Sequence, residues 1–210
     1  MNLQIAHAFK SYGGREVLRD FTLQFPESGV FCLFGPSGCG KTTLVNCLAG
    51  LAQLDTGCVT GIEGRRVSCV FQEDRLLPWA SAEENIAAVF HDRKEGLRQA
   101  AEWLRKVGLE GEEKKKPREM SGGMCRRVAL ARALAYGGDI FLLDEPFQRL
   151  DEKNREKMME LTLKAVQGKL AVFITHNSAE KEKMADVSYI LDGAPLKIVE
   201  TAEKSCRKIG

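Results

Sequence analysis

A chain of 210 residues, 44% of them hydrophobic, can build one sizeable core but not a second independent domain, and no apolar run approaches the roughly 20 residues that span a bilayer. Its 31 basic and 29 acidic side chains leave a formal net charge of +2, so charge gives no reason to expect a nucleic-acid partner or a membrane-surface patch. The 7 cysteines (positions 32, 39, 47, 58, 69, 125 and 206) form no C-x-x-C pair and sit mostly in apolar runs, which argues for free buried thiols over a disulfide framework or a zinc site.

The amino end, Met1-Asn2-Leu3-Gln4, lacks the charged and apolar parts of a signal peptide, so residence in the cytosol is expected. Residues 3–9 and 17–25 have β character around a Gly13-Gly14 turn, which predicts a small antiparallel layer. The apolar run 30–34 reads as a buried strand, and Leu44, Val45, Leu48 and Leu51 repeat at helical spacing after it. Further strand-like runs at 67–71, 140–143 and 170–174, separated by helices or loops, predict a mainly parallel sheet and an α/β fold. Between them the composition turns to Glu, Ala, Lys and Arg, and a helical subdomain over about 80–135 is expected within a single domain spanning 1–210. There Leu97, Ala101, Leu104 and Val107 mark one helical face closed by Gly108, and Lys114-Lys115-Lys116 reads as a solvated loop. Another helix is predicted over about 123–135, and a third from Asp151, placed as an N-cap, to about 167, with Gly168 as its stop.

Gly35-Pro36-Ser37-Gly38-Cys39-Gly40-Lys41-Thr42 fits the phosphate-binding pattern G-x-x-x-x-G-K-[ST] and lies between a predicted strand and a predicted helix. Glycines let the backbone N–H groups point inward as a nest, and the helix start adds partial positive charge beneath a phosphate. Lys41 is expected to reach the β- and γ-phosphates of ATP and Thr42 to offer its hydroxyl to Mg²⁺. Thr43 is either a further phosphate contact or an ordinary first-turn residue. Cys39, close to the helix start and Lys41, is expected to be a reactive thiol. A nucleotide site needs a carboxylate as well, and the run 140–143 ends in Asp144 and Glu145: Asp144 is placed beside Mg²⁺, and Glu145 to orient or deprotonate the attacking water.

Ser121-Gly122-Gly123, followed by Arg126-Arg127-Val128-Ala129-Leu130-Ala131-Arg132, resembles the signature motif and helix of the ATP-binding-cassette (ABC) ATPases. Gln72 matches that family's Q-loop, residues 147–151 its D-loop with Asp151, Ile174-Thr175-His176 its switch histidine, and Tyr12 the aromatic residue that stacks on adenine. The motifs fall in the family's order, and the resemblance runs from about 3 to 195. It implies a P-loop NTPase cassette with a mainly parallel core sheet, a small antiparallel β subdomain and a helical subdomain. It also implies that Ser121, Gly122 and Gly123 bind the γ-phosphate of ATP held by a facing subunit, that Gln72 joins the Mg²⁺ shell, and that His176 holds Glu145 and the water. Met120 and Met124 depart from the usual Leu-Ser-Gly-Gly-Gln, and Gln148-Arg149 departs from Ser-Ala-Leu-Asp, putting a charge where the dimer seam is expected.

The run 71–79, ending Leu76-Leu77-Pro78-Trp79 and followed by Glu84-Asn85-Ile86, is similar to import cassettes serving nitrate, sulfonate, taurine and thiamine-precursor permeases. Leu76, Leu77, Pro78 and Trp79 are then either contacts to the permease or core residues of the helical lobe. The resemblance implies an ATP-hydrolysing importer subunit, a homodimer or a heterodimer with a second cassette, peripheral at the inner face of the cell membrane. An integral membrane permease and a solute-binding protein complete the expected assembly, with no nucleic acid. The alternative is a soluble cassette ATPase acting on nucleic acid or the ribosome, which the balanced charge and the lack of a long insertion disfavour.

Overall fold

The computed structural model describes residues 2–204, so Cys206 lies outside the described residues. In chain order the elements are β1 (Leu3–Tyr12), β2 (Arg15–Phe25), β3 (Gly29–Phe34), α1 (Lys41–Leu48), β4 (Thr56–Thr60), β5 (Val67–Val70), α2 (Ala82–Ala87), α3 (Arg93–Lys106), α4 (Gly122–Tyr136), β6 (Ile140–Asp144), α5 (Glu152–Ala165), β7 (Leu170–Thr175), α6 (Ser178–Met184), β8 (Val187–Asp192) and β9 (Lys197–Glu203). They form two compact units. One takes in the chain up to Cys69, Gly138–Asp144 and the residues from Val166 on; the other takes in Val70–Gly137 and Glu145–Ala165.

The first unit holds both sheets. The larger has strand order β5-β6-β7-β3-β8-β9, with β6, β7, β3 and β8 parallel and β9 antiparallel at the edge. Every residue of β6 and β7 is buried, as expected for parallel strands covered on both faces, which explains their unbroken apolar runs. The smaller sheet, β2-β1-β4, is antiparallel, and Phe25 on β2 packs edge-on against Phe31 on β3 at 5.5 Å between ring centroids. Leu44 and Leu48 of α1 join Leu33, Leu142, Val172 and Ile174 in one apolar core.

Leu51 does not continue the α1 stripe as expected. The helix stops at Leu48 in a Schellman closure, with Gly50 at φ 71, its N–H bonded to Cys47 O at 3.0 Å and the Leu51 N–H to Asn46 O at 2.9 Å. Leu51 is thereby turned out and is 57% exposed.

The second unit is helical. Ser81 and Glu84 form a reciprocal capping box at the start of α2, and Asp92 caps α3 through the N–H of Glu95. The buried face of α3 runs Gly96, Ala100, Leu104 and on to Val107, while Ala101 is exposed, so the stripe expected at Leu97 and Ala101 is shifted by one residue. A Cβ at Gly96 would lie 3.0 Å from Ala87 O and 3.3 Å from Ala87 Cβ, so the missing side chain lets the two helices close on that face. Asp151 caps α5 as expected, accepting from the N–H of Asn154 at 2.9 Å, and Gly108 and Gly168 take φ 72 and 71. Among the described residues, no helix is long and apolar enough to cross a membrane.

Candidate functional site

The glycine loop leaves the carboxyl end of β3, the side where ligands collect in open parallel sheets, and its glycines serve different ends. A Cβ on Gly35 would stand 2.2 Å from the carbonyl oxygen of Leu191, a backbone atom that cannot swing away. Gly38 and Gly40 instead take φ 80 and 113, which L side chains rarely adopt. Gly40 leads into α1 without a side-chain cap, and the first turn holds no acidic residue, so its N–H groups and partial positive charge are left for an anion. Pro36, Ser37 and Gly38 are exposed around that opening.

Lys41 is only 6% exposed, and its ammonium donates to Gly35 O at 2.8 Å and Pro36 O at 2.7 Å. The cation is thus held over the nest where phosphates are expected. Thr42 Oγ1 donates to Asp144 Oδ2 at 2.7 Å, joining groups 102 positions apart, and Asp144 is 4% exposed. Two hard oxygen donors at the edge of a phosphate nest suit Mg²⁺, which fills the rest of its shell with phosphate and water. Among the described residues there is no cluster of three or more His, Cys, Asp or Glu that would build an all-protein cage. Thr43 is half-buried in the same turn.

Cys39 is 5% exposed, and its Sγ lies 3.7 Å from Lys41 Nζ. The thiol expected to react readily is therefore shielded, because the loop folds this side chain inward onto the core beside Leu44. Burial is also decisive at Cys32, whose thiol is pushed up to about 12. Tyr12 stands half-exposed at the end of β1, with Lys10 Nζ 5.1 Å from its ring centroid.

His176 follows β7 and is exposed, and together with Gly35, Pro36 and Asp192 it lines a cavity of about 460 Å³. Its turn is held by hydrogen bonds: Thr175 Oγ1 donates to Glu180 at 2.6 Å and accepts from the Asn177 N–H at 3.0 Å, while Asn177 caps α6.

In the second unit, Gln72 is exposed just beyond β5, and Glu145 is half-buried with φ 46. Its carbonyl accepts from Arg126 Nη2 at 2.7 Å and from the Gln148 N–H at 3.1 Å, and its carboxylate accepts from the side-chain amide of Gln148. Ser121 caps α4, accepting from the Met124 N–H at 3.2 Å, with Ser121 and Gly122 exposed at the helix start. A Cβ on Gly123 would lie 2.9 Å from Arg149 O, so that glycine admits the D-loop backbone. Arg149 pairs with Asp74 at 3.1 Å, so the charge expected at a dimer seam is partly neutralised within its own subunit. Hydrogen bonds from Asn154 hold the Asp151 carboxyl below its usual range.

Asp74 and Arg126 have clear parts in this geometry that the sequence motifs do not mark, and Gln148, read there only as a departure from the usual D-loop, donates to the Glu145 carboxylate. The one signal available was Arg126 itself, a charge among the apolar positions of α4. Asn85, quoted only as part of a pattern, is fully buried, and its side-chain oxygen accepts from the Leu77 N–H at 2.7 Å. Its amide donates to the carbonyls of Leu77, Ala80 and Ser81. This pins the turn that leaves Trp79 70% exposed beside a groove of about 350 Å³ lined by Leu77, Ala87, Phe90 and Leu97. Pro78 is exposed as well, while Leu76 and Leu77 are half-buried.

The ABC transporter family model matches residues 18–148. The chain is 39% identical over 211 aligned residues to the taurine import ATP-binding protein TauB of Escherichia coli O157:H7, covering 94% of this chain and 82% of that protein. It is 38% identical over the same span to TauB of Escherichia coli strain K12. Among solved structures it matches the dimeric bacterial ABC transporter cassette MJ0796 with a TM-score of 0.88 at 27% identity, covering 96% of this chain and 98% of the other. A second structure of MJ0796, a dimeric post-hydrolysis state bound to ADP and Pi, matches equally well.

Proposed function

This chain belongs to the ABC transporter family, and on that premise we propose that it is the ATP-hydrolysing subunit of an importer, with closure of two cassettes around ATP driving uptake of a small solute through a separate permease. The observation that carries the reading is the glycine loop with Lys41 over its nest and Thr42 bonded to Asp144. Taurine, the solute named for the relatives, is the first candidate substrate. The subunit is peripheral at the cytoplasmic face of the membrane, paired with a second cassette of the same or another kind, and a solute-binding protein delivers the cargo.

In this reading the loop N–H groups of residues 37–40 and the start of α1 hold the β-phosphate, Lys41 exchanges its carbonyl partners for phosphate oxygens, and Tyr12 stacks on adenine. Mg²⁺, when bound, neutralises charge developing on the phosphate oxygens. Thr42 and Asp144 would hold it, and the family resemblance adds Gln72 to that set. Glu145 orients a water and takes its proton as the water oxygen bonds to the γ-phosphorus and the bridging P–O bond breaks, releasing ADP and phosphate. His176 steadies the γ-phosphate and the water, Asp151 lies at the seam, and Ser121, Gly122 and Gly123 supply N–H groups to the γ-phosphate held by the partner.

Glu145→Gln tests the core of this proposal. It is expected to keep Mg-ATP affinity, lose hydrolysis and accumulate an ATP-dependent dimer on size-exclusion chromatography; hydrolysis at the wild-type rate would refute the assignment. Purification of the tagged chain from detergent-solubilised native membranes without ATP is expected to recover a multi-span permease. Recovery of ribosomal or nucleic-acid partners instead would favour the soluble-cassette reading.

A further inference from the structure

Among the described residues, Arg126 is the largest fully buried side chain. A guanidinium out of water is tolerable only if its donors and its charge are matched. Here Nε donates to Pro146 O at 3.2 Å, Nη1 to Phe71 O at 2.6 Å and to Asp74 Oδ1 at 3.0 Å, and Nη2 to Glu145 O at 2.7 Å. Three of these four acceptors are main-chain carbonyls, and they belong to two loops: Phe71 immediately precedes Gln72, and Glu145 and Pro146 follow β6. Asp74 supplies the countercharge, and its carboxylate is also gripped by Arg149 at 3.1 and 3.2 Å. Glu145 holds φ 46, a conformation that a non-glycine residue keeps only where its surroundings impose it. The fork of Arg126 is one such constraint, and Gln148 is another.

We propose that Arg126, with Asp74 as its counter-ion, is a positioning residue for ATP hydrolysis: it locks the backbone of Glu145 to the backbone leading into Gln72, so that the carboxylate and the Q-loop are set as one body. The proposal rests on the reading of Glu145 as the base. A role confined to filling the core would require only volume and charge. The positioning role requires a planar fork, which an ammonium cannot imitate.

The test uses the full chain. Arg126→Lys, Asp74→Asn, Glu145→Gln and the double variant Arg126→Lys with Glu145→Gln are compared for melting midpoint, Mg-ATP affinity, KM and kcat. Arg126→Lys is expected to bind Mg-ATP with Kd and KM within about twofold of wild type while kcat falls about tenfold or more, because the interaction lost is one that acts in the transition state. Asp74→Asn, which withdraws the countercharge at a position that is not fully buried, is expected to lower kcat about threefold with KM unchanged, and it carries the test if Arg126→Lys does not fold. In the Glu145→Gln background, Arg126→Lys should lower the residual single-turnover rate by less than about twofold, since both changes act through one carboxylate. Wild-type kcat in the folded single variants, or a full multiplicative loss in the double variant, overturns the role of Arg126 alone. Wild-type turnover by Glu145→Gln overturns it together with the assignment of the base.

Discussion

Gly35→Ala is expected to harm both stability and nucleotide binding, although its φ lies outside the left-handed region. The added Cβ would meet Leu191 O at 2.2 Å, its carbonyl carbon at 3.1 Å and its Cα at 3.5 Å, all backbone of β8. An ordinary carbon–oxygen contact is about 3.3 Å or more, so the loop and β8 must separate by about 1 Å. Such overpacking typically costs about 1–3 kcal/mol. At about 2–4 °C per kcal/mol for a chain of this size, the melting midpoint should fall by roughly 2–12 °C. The displaced segment opens the phosphate nest, and since misplacing positioned groups by about 1 Å can cost up to about a hundredfold, Mg-ATP affinity should weaken by about tenfold or more. Gly38→Ala is the control: nothing lies within 4 Å of its Cβ, and its penalty of about 1–2 kcal/mol comes from φ 80 alone. Scanning fluorimetry with and without Mg-ATP, followed by calorimetry, compares the two. If Gly35→Ala melts within about 1 °C of wild type and binds ATP equally well, the close approach of loop and strand does not constrain the site.

Lys41→Ala removes a charged donor worth about 1.5–3 kcal/mol at a phosphate and should weaken ATP binding roughly 10- to 100-fold by calorimetry; an unchanged Kd would refute the site. Trp79→Ala deletes a side chain that is 70% exposed, so the melting midpoint and basal ATPase rate should stay near wild type while recovery of the permease from membranes falls; wild-type recovery would remove Trp79 from the docking surface. Maleimide at pH 8 should label the exposed Cys58 first and spare Cys32, because burial that raises its thiol to about 12 leaves almost no thiolate until the pH passes that value. A Cys32 peptide labelled as fast as the Cys58 peptide in the native protein would contradict that burial.

What was legible in the sequence was local. The phosphate loop occupies consecutive residues, the turn at Gly13-Gly14 and the caps at Asp151, Gly108 and Gly168 act over a few positions, and apolar runs mark buried parallel strands whatever their partners. β4, β8 and β9 escaped because few of their residues are buried, none at all in β4 and β9, and pairing of β4 with β1, β8 with β3 and β9 with β8 is what makes them strands.

The one-residue shift of the α3 face was decided by Gly96 against Ala87, and the exposure of Leu51 by a Schellman closure that outweighed helical spacing. The sequence by itself determined the family and the nucleotide, because each motif carries its chemistry within a short stretch of chain. The tertiary structure alone decided which distant groups meet. The strand order that sets Thr42 against Asp144, and the burial of Arg126 among carbonyls up to 55 positions away, come from long-range packing that local spacing does not encode.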